Sequence, residues 1–140
     1  MDTITKERRS WVMSRIKGHD TKPEYTVRSV IHRMGYRFRL HRKDLPGMPD
    51  VVLPKLRTII FIHGCFWHRH KGCRYAYNPK SRKEFWKQKF EKNVARDQKV
   101  RRKLQELGWR VIVVWECQTK SIERLSAQLS AQLRKIFSSV

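Results

Sequence analysis

The chain has 140 residues, which is enough for one domain with a single core. Its 33 Lys and Arg stand against 12 Asp and Glu, a net charge of +21 that indicates a polyanionic partner such as nucleic acid. Five Trp and regular apolar spacing exclude a disordered basic tail, and the lack of a long apolar run or an apolar leader excludes a membrane span and a signal peptide, so we expect a cytoplasmic protein.

The first half of the chain alternates helical and strand patterns. A basic helix is predicted at 5–16 within the N-terminal segment 1–18, ended by Gly18. Thr21 is the predicted N-cap of a second helix, with Pro23 in its first turn and an end at Gly35. The alternating or continuous apolar pattern of three further segments predicts strands at 36–40, 50–53 and 57–62. The last two are read as a hairpin.

The second half begins with an irregular segment, 63–80, where functional side chains are expected to concentrate. Ser81 and Glu84 form a capping-box pattern that predicts a long helix to Leu107. A buried strand is predicted at 109–117, and the C-terminal segment 119–137 is predicted to be an amphipathic helix. One domain, 1–140, of class α/β follows, with a small mixed sheet flanked by helices.

The three cysteines and one histidine have the spacing of a metal site. Cys65, His70 and Cys73 fall within nine residues, and Cys117 ends a predicted strand that can lie beside the strand ending at Ile62. Cysteines in a reducing compartment are thiols or metal ligands more often than disulfides, and four such ligands predict a closed, structural zinc site. Alternatively the cysteines are incidental core thiols, or a neighbouring histidine replaces His70.

Asp50 is the candidate ligand of a second, harder cation. It starts one hairpin strand, while the partner strand brings Ile62 and His63 to its far end, so a carboxylate and a backbone carbonyl can meet at one magnesium ion. An acid followed by a turn and a buried strand is also the skeleton of restriction-endonuclease-like folds, although the usual Glu-x-Lys is replaced here by Ile-His-Gly. The alternative is an ordinary turn acid.

Two further acids are placed on apolar helix faces. Glu24 lies about one turn before Val27, and Asp97 lies within the apolar stripe of the long helix. Acids in such positions need partners. They are either structural, as a helix-terminal acid and an internal ion pair, or they support the two spare histidines, His63 and His68, in phosphodiester hydrolysis.

Four segments carry a resemblance to a known family. They are LPGMPD at 45–50, FIHGCFWHRHKGC at 61–73, EFWKQKFEKNVARD at 84–97 and LGWRVIVVWEC at 107–117. Together they resemble the very short patch repair endonucleases, over about residues 8–120. This resemblance implies a bacterial, nucleoid-associated, monomeric enzyme that nicks a DNA strand 5′ of the T in a T:G mismatch, such as deamination of 5-methylcytosine leaves, and that is functionally linked to a cytosine-5 DNA methyltransferase.

The resemblance also assigns roles to residues. It implies that Asp50 and the carbonyl of Ile62 hold Mg²⁺ near the scissile phosphate, with His68 as general base. It implies supporting roles for His63, Glu24 and Asp97, and it repeats the zinc ligands Cys65, His70, Cys73 and Cys117. Four side chains are implied to enter or approach the DNA beside the mismatch: Phe66, Trp67, Trp86 and Met13. For Trp86, which begins an apolar stripe, a place in the core is the alternative.

Two other functions fit the composition. A zinc-stabilised DNA-binding module without catalysis would need the cysteines and the charge but not the combination of Asp50, His63 and His68. A nuclease for branched or single-stranded DNA would not need aromatic side chains that wedge into a duplex. A nicking assay on mismatched and matched duplexes separates these readings.

Overall fold

The structure is a computed structural model that describes the backbone of residues 21–138 and the side chains of residues 21–136. The helix predicted within 1–18, which includes Met13, lies outside these residues. Within 21–138, three α-helices and four strands follow each other in the order α1 Lys22–Arg33, β1 Arg39–Leu40, β2 Val51–Leu53, β3 Thr58–His63, α2 Lys83–Glu106, β4 Arg110–Trp115 and α3 Ile122–Ser138. Short 3₁₀ helices occupy Pro54–Leu56 and Glu116–Lys120.

The four strands form one mixed sheet in the order β1-β2-β3-β4. The pairs β1–β2 and β2–β3 are antiparallel, whereas β4 runs parallel to β3 from Thr58 opposite Arg110 to His63 opposite Trp115. The hairpin between β2 and β3 turns through Pro54–Leu56 and closes at Arg57, which adopts a left-handed backbone with φ 51°. The predicted small mixed α/β fold is therefore confirmed.

The helices cover both faces of the sheet. Because side chains alternate across a strand, Val51 and Ile60 point to one face, where the apolar sides of α1 and α3 cover them. Val52 and Ile59 point to the other face and pack with Leu104 of α2. The result is a three-layer arrangement with a core on each side of the sheet. None of the helices in the described part of the chain is long and apolar enough to cross a membrane.

Several predicted boundaries were wrong. Only Arg39 and Leu40 of the segment 36–40 pair as a strand. The capping box of Ser81 and Glu84 does not form, because the N-cap is Arg82, in a left-handed conformation with φ 53°, and no side chain caps the helix. The last strand ends at Trp115, so Cys117 lies in the following 3₁₀ helix instead of ending the strand.

The pairing of β2 with β3 and of β3 with β4 positions the site. Asp50 directly precedes β2, and His63 is the last residue of β3, so both stand at the same end of the sheet. The loop 41–49 closes over this end, where Gly47 approaches α2 closely. A Cβ atom on Gly47 would lie 2.5 Å from a methyl carbon of Val100, and its φ of +77° also favours glycine.

Candidate active site and metal cluster

The first functional cluster joins Asp50 to the buried face of α1. Asp50 accepts a hydrogen bond through Oδ2 from the backbone N–H of Ile62 at 2.9 Å. Glu24 is only 4% exposed and accepts a hydrogen bond from Arg28, one turn further along α1, at 2.9 Å. One ligand atom each from Glu24, His41 and Asp50 lies within 4.8 Å of the other two. The arrangement could hold a cation with one neutral and two acidic side chains.

His41 is a member of this cluster that the sequence analysis missed. Its Nε2 lies 2.9 Å from an Arg28 nitrogen and 3.8 Å from the carboxylate of Glu24. A single histidine at the start of a loop has no pattern that indicates a site. Its position depends on the loop 41–49, which folds back toward α1. The backbone N–H of His41 donates a hydrogen bond to the carbonyl of Asp50 at 3.4 Å and so joins the two ends of this loop.

The second cluster contains both spare histidines and an acid of α2. His68 Nδ1 lies 2.6 Å from Oδ2 of Asp97. Because a carboxylate only accepts, the ring proton belongs on Nδ1, and Nε2 of His68 carries the lone pair. The rings of His63 and His68 stack at a centroid distance of 3.9 Å with an interplanar angle of 6°. Among residues 21–136, Asp97 pairs with His68 and with no Lys or Arg, which differs from the alternative of a structural ion pair.

Burial changes the acidity of both clusters. It raises the pKa of Asp50 to about 6, an effect that the hydrogen bond from Ile62 partly offsets and the nearby Glu24 charge increases. Burial and then the neighbouring His68 lower the pKa of His63 to about 4. At neutral pH His63 is therefore uncharged, and Asp50 is ionised although burial disfavours its charge. A bound cation would stabilise the ionised form of Asp50.

Both clusters open into one cavity of about 910 Å³, which we call the central cavity. Its walls include Asp50, His63, His68 and Asp97. An acid and a histidine with shifted pKa values at the wall of a large cavity, here Asp50 and His63, are typical of a catalytic site. Three exposed cations also line it, namely Lys43, Arg96 and Arg101.

The predicted sulfur and nitrogen ligands meet between the loop after β3 and the 3₁₀ helix after β4. One ligand atom from each of Cys65, His70, Cys73 and Cys117 lies within 4.8 Å of the other three, so this group, the cysteine cluster, could hold a metal ion. His70 Nδ1 lies 3.7 Å from the sulfur of Cys65 and 3.5 Å from that of Cys117. The ring of His70 stacks on Trp115 at 4.2 Å, which fixes its orientation. His70, and neither of the other two histidines of this loop, completes the set.

Four aromatic side chains form a cluster between the irregular loop and the first turns of α2: Phe66, Trp67, Trp86 and Phe90. Phe90 is buried, and Phe66 and Trp86 are half-buried. Trp67 is 47% exposed and packs against Trp86 with ring centroids 5.8 Å apart. An indole with about half of its surface exposed, in a strongly basic protein, is available for contact with a partner.

Arg69 holds this loop in shape. Its guanidinium donates to the backbone carbonyls of Phe66, Ala76 and Tyr77 at 2.9–3.3 Å and to the side chain of Asn78 at 2.8 Å. It also lies 4.0 Å above the ring centre of Phe90. One side chain thereby donates to three backbone carbonyls of a loop without regular pairing, and sequence reasoning did not single out this residue.

Comparison with known proteins identifies the family. The chain is 51% identical over 128 residues to a type II nicking enzyme, V.XorIIP, of Xanthomonas oryzae, covering 91% of this chain and 93% of the relative. It is 42% identical to the type II nicking enzyme V.NmeAIP of Neisseria meningitidis over 135 residues, 96% of each protein. It is 44% identical over 125 residues to the DNA mismatch endonuclease Vsr of Escherichia coli, covering 89% of this chain and 80% of that enzyme. The family model described as DNA mismatch endonuclease Vsr matches residues 1–74. The chain therefore belongs to the Vsr family of DNA mismatch endonucleases.

Proposed function

We propose that this endonuclease uses magnesium to nick one DNA strand on the 5′ side of the T in a T:G mismatch. The observation that carries the proposal is that Asp50 and His68 line the same cavity, with His68 hydrogen-bonded to Asp97. Hydrolysis of a phosphodiester needs a base for water and a counter-charge for the phosphate, and these two clusters supply sites for both. The four-stranded sheet with Asp50 at one end of its inner strand β2 also supports a restriction-endonuclease-like core.

The magnesium ligands would be the carboxylate of Asp50 and the backbone carbonyl of Ile62. In an extended strand the N–H and C=O of one residue point to the same side. The N–H of Ile62 is bonded to Asp50, so its carbonyl shares that side of β3. Oxygen donors of this kind suit Mg²⁺, which when bound would neutralise phosphate charge and activate water. Glu24 would support the site through its contacts with Arg28 and His41.

His68 is the proposed general base. Its Nδ1 bond to Asp97 fixes the tautomer and the ring plane, which leaves Nε2 to take a proton from the attacking water. Asp97 would also stabilise the positive charge that develops on the ring. His63, held neutral by its low pKa and stacked on His68, would hydrogen-bond the phosphate or water without adding a second positive charge to the pair.

Zinc is the proposed occupant of the cysteine cluster, in a structural role. Tetrahedral Zn²⁺ with ordinary Zn–S and Zn–N bond lengths separates the sulfur and nitrogen by about 3.6 Å. The two sulfur-to-His70 distances, 3.7 and 3.5 Å, agree with this value. All four positions would be filled by protein, so the ion would fix the loop and would not take part in hydrolysis.

Selectivity for T:G is proposed to come from wedging of Phe66, Trp67 and Trp86 into the base stack, with Met13 approaching from the minor groove. The exposed ring of Trp67 beside a strongly basic surface supports this. A wobble pair costs less to unstack than a matched pair, so insertion favours the lesion. The T:G substrate links the enzyme to a cytosine-5 DNA methyltransferase, because deamination of 5-methylcytosine produces that mismatch.

The test is a strand-resolved nicking assay on end-labelled duplexes that differ at one base pair. With Mg²⁺ we expect cleavage of the T strand immediately 5′ of the mismatched T, and at least about 10²-fold slower cleavage of the matched T:A duplex. Ca²⁺ in place of Mg²⁺ serves as the control for binding without hydrolysis. Cleavage of both strands, equal rates on the two duplexes, or preference for branched or single-stranded DNA would contradict the proposal.

A further inference from the structure

The central cavity contains a cation that the proposed chemistry does not use. Arg101 lies on α2 four residues, or about one turn, beyond Asp97, a spacing at which arginine commonly pairs with an acid. Within residues 21–136, the ion pairs join Glu24 with Arg28 and His41, Arg42 with Asp44, and His68 with Asp97, and none includes Arg101. The carboxylate of Asp97 is engaged by His68 instead, so no acid among residues 21–136 forms an ion pair with the guanidinium of Arg101.

Arg101 lines the central cavity together with His63, His68 and Asp97. Residues four apart lie on the same face of a helix, so Arg101 shares a face of α2 with Asp97, whereas Arg96 directly precedes Asp97 and Lys43 lies in the loop 41–49. Arg101 is therefore the cation of this wall that lies on the same helix face as Asp97, the partner of His68.

We propose that Arg101 binds a non-bridging oxygen of the phosphodiester that is cleaved. A guanidinium is planar, remains charged, and offers paired N–H donors that match the oxygens of a phosphate. The phosphate gains negative charge on these oxygens as water attacks, so a donor at this place stabilises the transition state more than the bound substrate. The inference rests on the proposed function, because it assumes that the central cavity receives the scissile phosphate.

Arg102 provides a matched control. It follows Arg101 directly on α2, is exposed, carries the same charge and does not line the central cavity. Removing either charge should weaken general attraction to DNA to a similar extent. Only the loss of Arg101 should slow hydrolysis of DNA that is already bound.

The experiment measures single-turnover nicking of a T:G duplex at saturating enzyme for the wild type, Arg101→Gln and Arg102→Gln. We expect Arg101→Gln to reduce the rate at least about 10-fold, less than the 10²- to 10³-fold typical of a buried donor because Arg101 is exposed. Arg102→Gln should nick bound DNA at the wild-type rate. Equal rates for the two variants at saturation would overturn the inference, whereas a wild-type protein that does not nick T:G duplexes would contradict the proposed function itself.

A sulfur substitution identifies the atom that Arg101 contacts. Each non-bridging oxygen of the cleaved phosphate is replaced in turn by sulfur, and the slowing is compared between wild type and Arg101→Gln. For one of the two diastereomers the slowing should shrink in the variant, because the contact that sulfur weakens is already gone. Unchanged slowing in both diastereomers would show that Arg101 does not touch this phosphate.

Discussion

At the scale of single residues, Asp50 and His63 respond to burial in opposite senses. The pKa of Asp50 is raised to about 6, so the stability that its protonated form contributes is complete below pH about 4 and is lost as pH rises through 6. The pKa of His63 is lowered to about 4, so the stability of its neutral form is complete above pH about 6.5 and is lost as pH falls through 4. Of these two groups, Asp50 is the one that at neutral pH has the charge state disfavoured by burial, since it is ionised.

Asp50→Asn should therefore stabilise the metal-free protein at pH 7.5. The amide oxygen can still accept the hydrogen bond from Ile62, while the desolvated charge is removed, a gain of up to ~3 kcal/mol for a shift of about two pKa units. Thermal unfolding with chelator present measures this, and the difference from wild type should disappear near pH 4. The control is Asp44→Asn, at an exposed acid of the same loop. A lower melting temperature for Asp50→Asn would show that the charge supports the fold.

The tryptophan Trp67 is the side chain on which mismatch selection is proposed to depend. Trp67→Ala should weaken binding to a T:G duplex by roughly 1 to 3 kcal/mol, the scale of one base–aromatic stack, and should change binding to matched DNA far less. Both affinities are measured at one fixed salt concentration. Tyr75→Ala is the matched control, because Tyr75 is 40% exposed and its ring contacts Arg74 outside the aromatic cluster. An equal loss of affinity for the two duplexes would show that Trp67 supports the fold and does not select the mismatch.

At the scale of elements, the cysteine cluster joins the loop after β3 to the 3₁₀ helix after β4. We predict one tightly held zinc per chain, retained through dialysis, and a large loss of thermal stability in Cys117→Ser. Metal analysis and thermal unfolding measure these properties. Lys71→Ala changes an exposed residue of the same loop that is not a ligand, and should retain both the metal and the stability. A zinc-free wild type, or an unchanged melting temperature in Cys117→Ser, would contradict the assignment.

The sequence predicted the elements whose patterns are local. The helix after Thr21, the hairpin, the long helix and the C-terminal helix all follow apolar periodicity, and the structure has them within a few residues. The start of α2 was wrong because Arg82 adopts a left-handed backbone that no local pattern signals. Strand 36–40 is short because only Arg39 and Leu40 find partners on β2, which is a consequence of tertiary pairing.

The same distinction applies to the candidate site. Acids on apolar helix faces, such as Glu24 and Asp97, could be found from the sequence because an acid there requires a partner, and the cysteine spacing indicated its own cluster. The identity of the partners depended on the fold, which brought Asp97 to His68 across 29 residues. His41 and Arg69 act through a loop that folds back on itself, and neither residue had a spacing that could reveal this.

At the scale of the whole molecule, a net charge of +21 makes phosphate contact the main source of affinity for any duplex. Binding to matched DNA should fall by about 10³-fold or more between 50 and 200 mM salt, as for proteins that make six or more phosphate contacts. The ratio of T:G to matched affinity should change much less, because stacking releases no counterions. Titrations at several salt concentrations measure both quantities, and a weak salt dependence would show that charge does not dominate binding.

The most direct test of the central claim, that the central cavity hydrolyses DNA at a T:G mismatch, compares two variants with the wild type in single-turnover nicking and in binding. His68→Ala and Asp50→Asn should each lower the nicking rate by about 10²-fold or more, because one loses the proposed base and the other a proposed magnesium ligand. Affinity for the T:G duplex in Ca²⁺ should stay near that of the wild type. Nicking by either folded variant at close to the wild-type rate would contradict the role assigned to that residue. Nicking by both variants at that rate would contradict the claim that hydrolysis takes place in the central cavity.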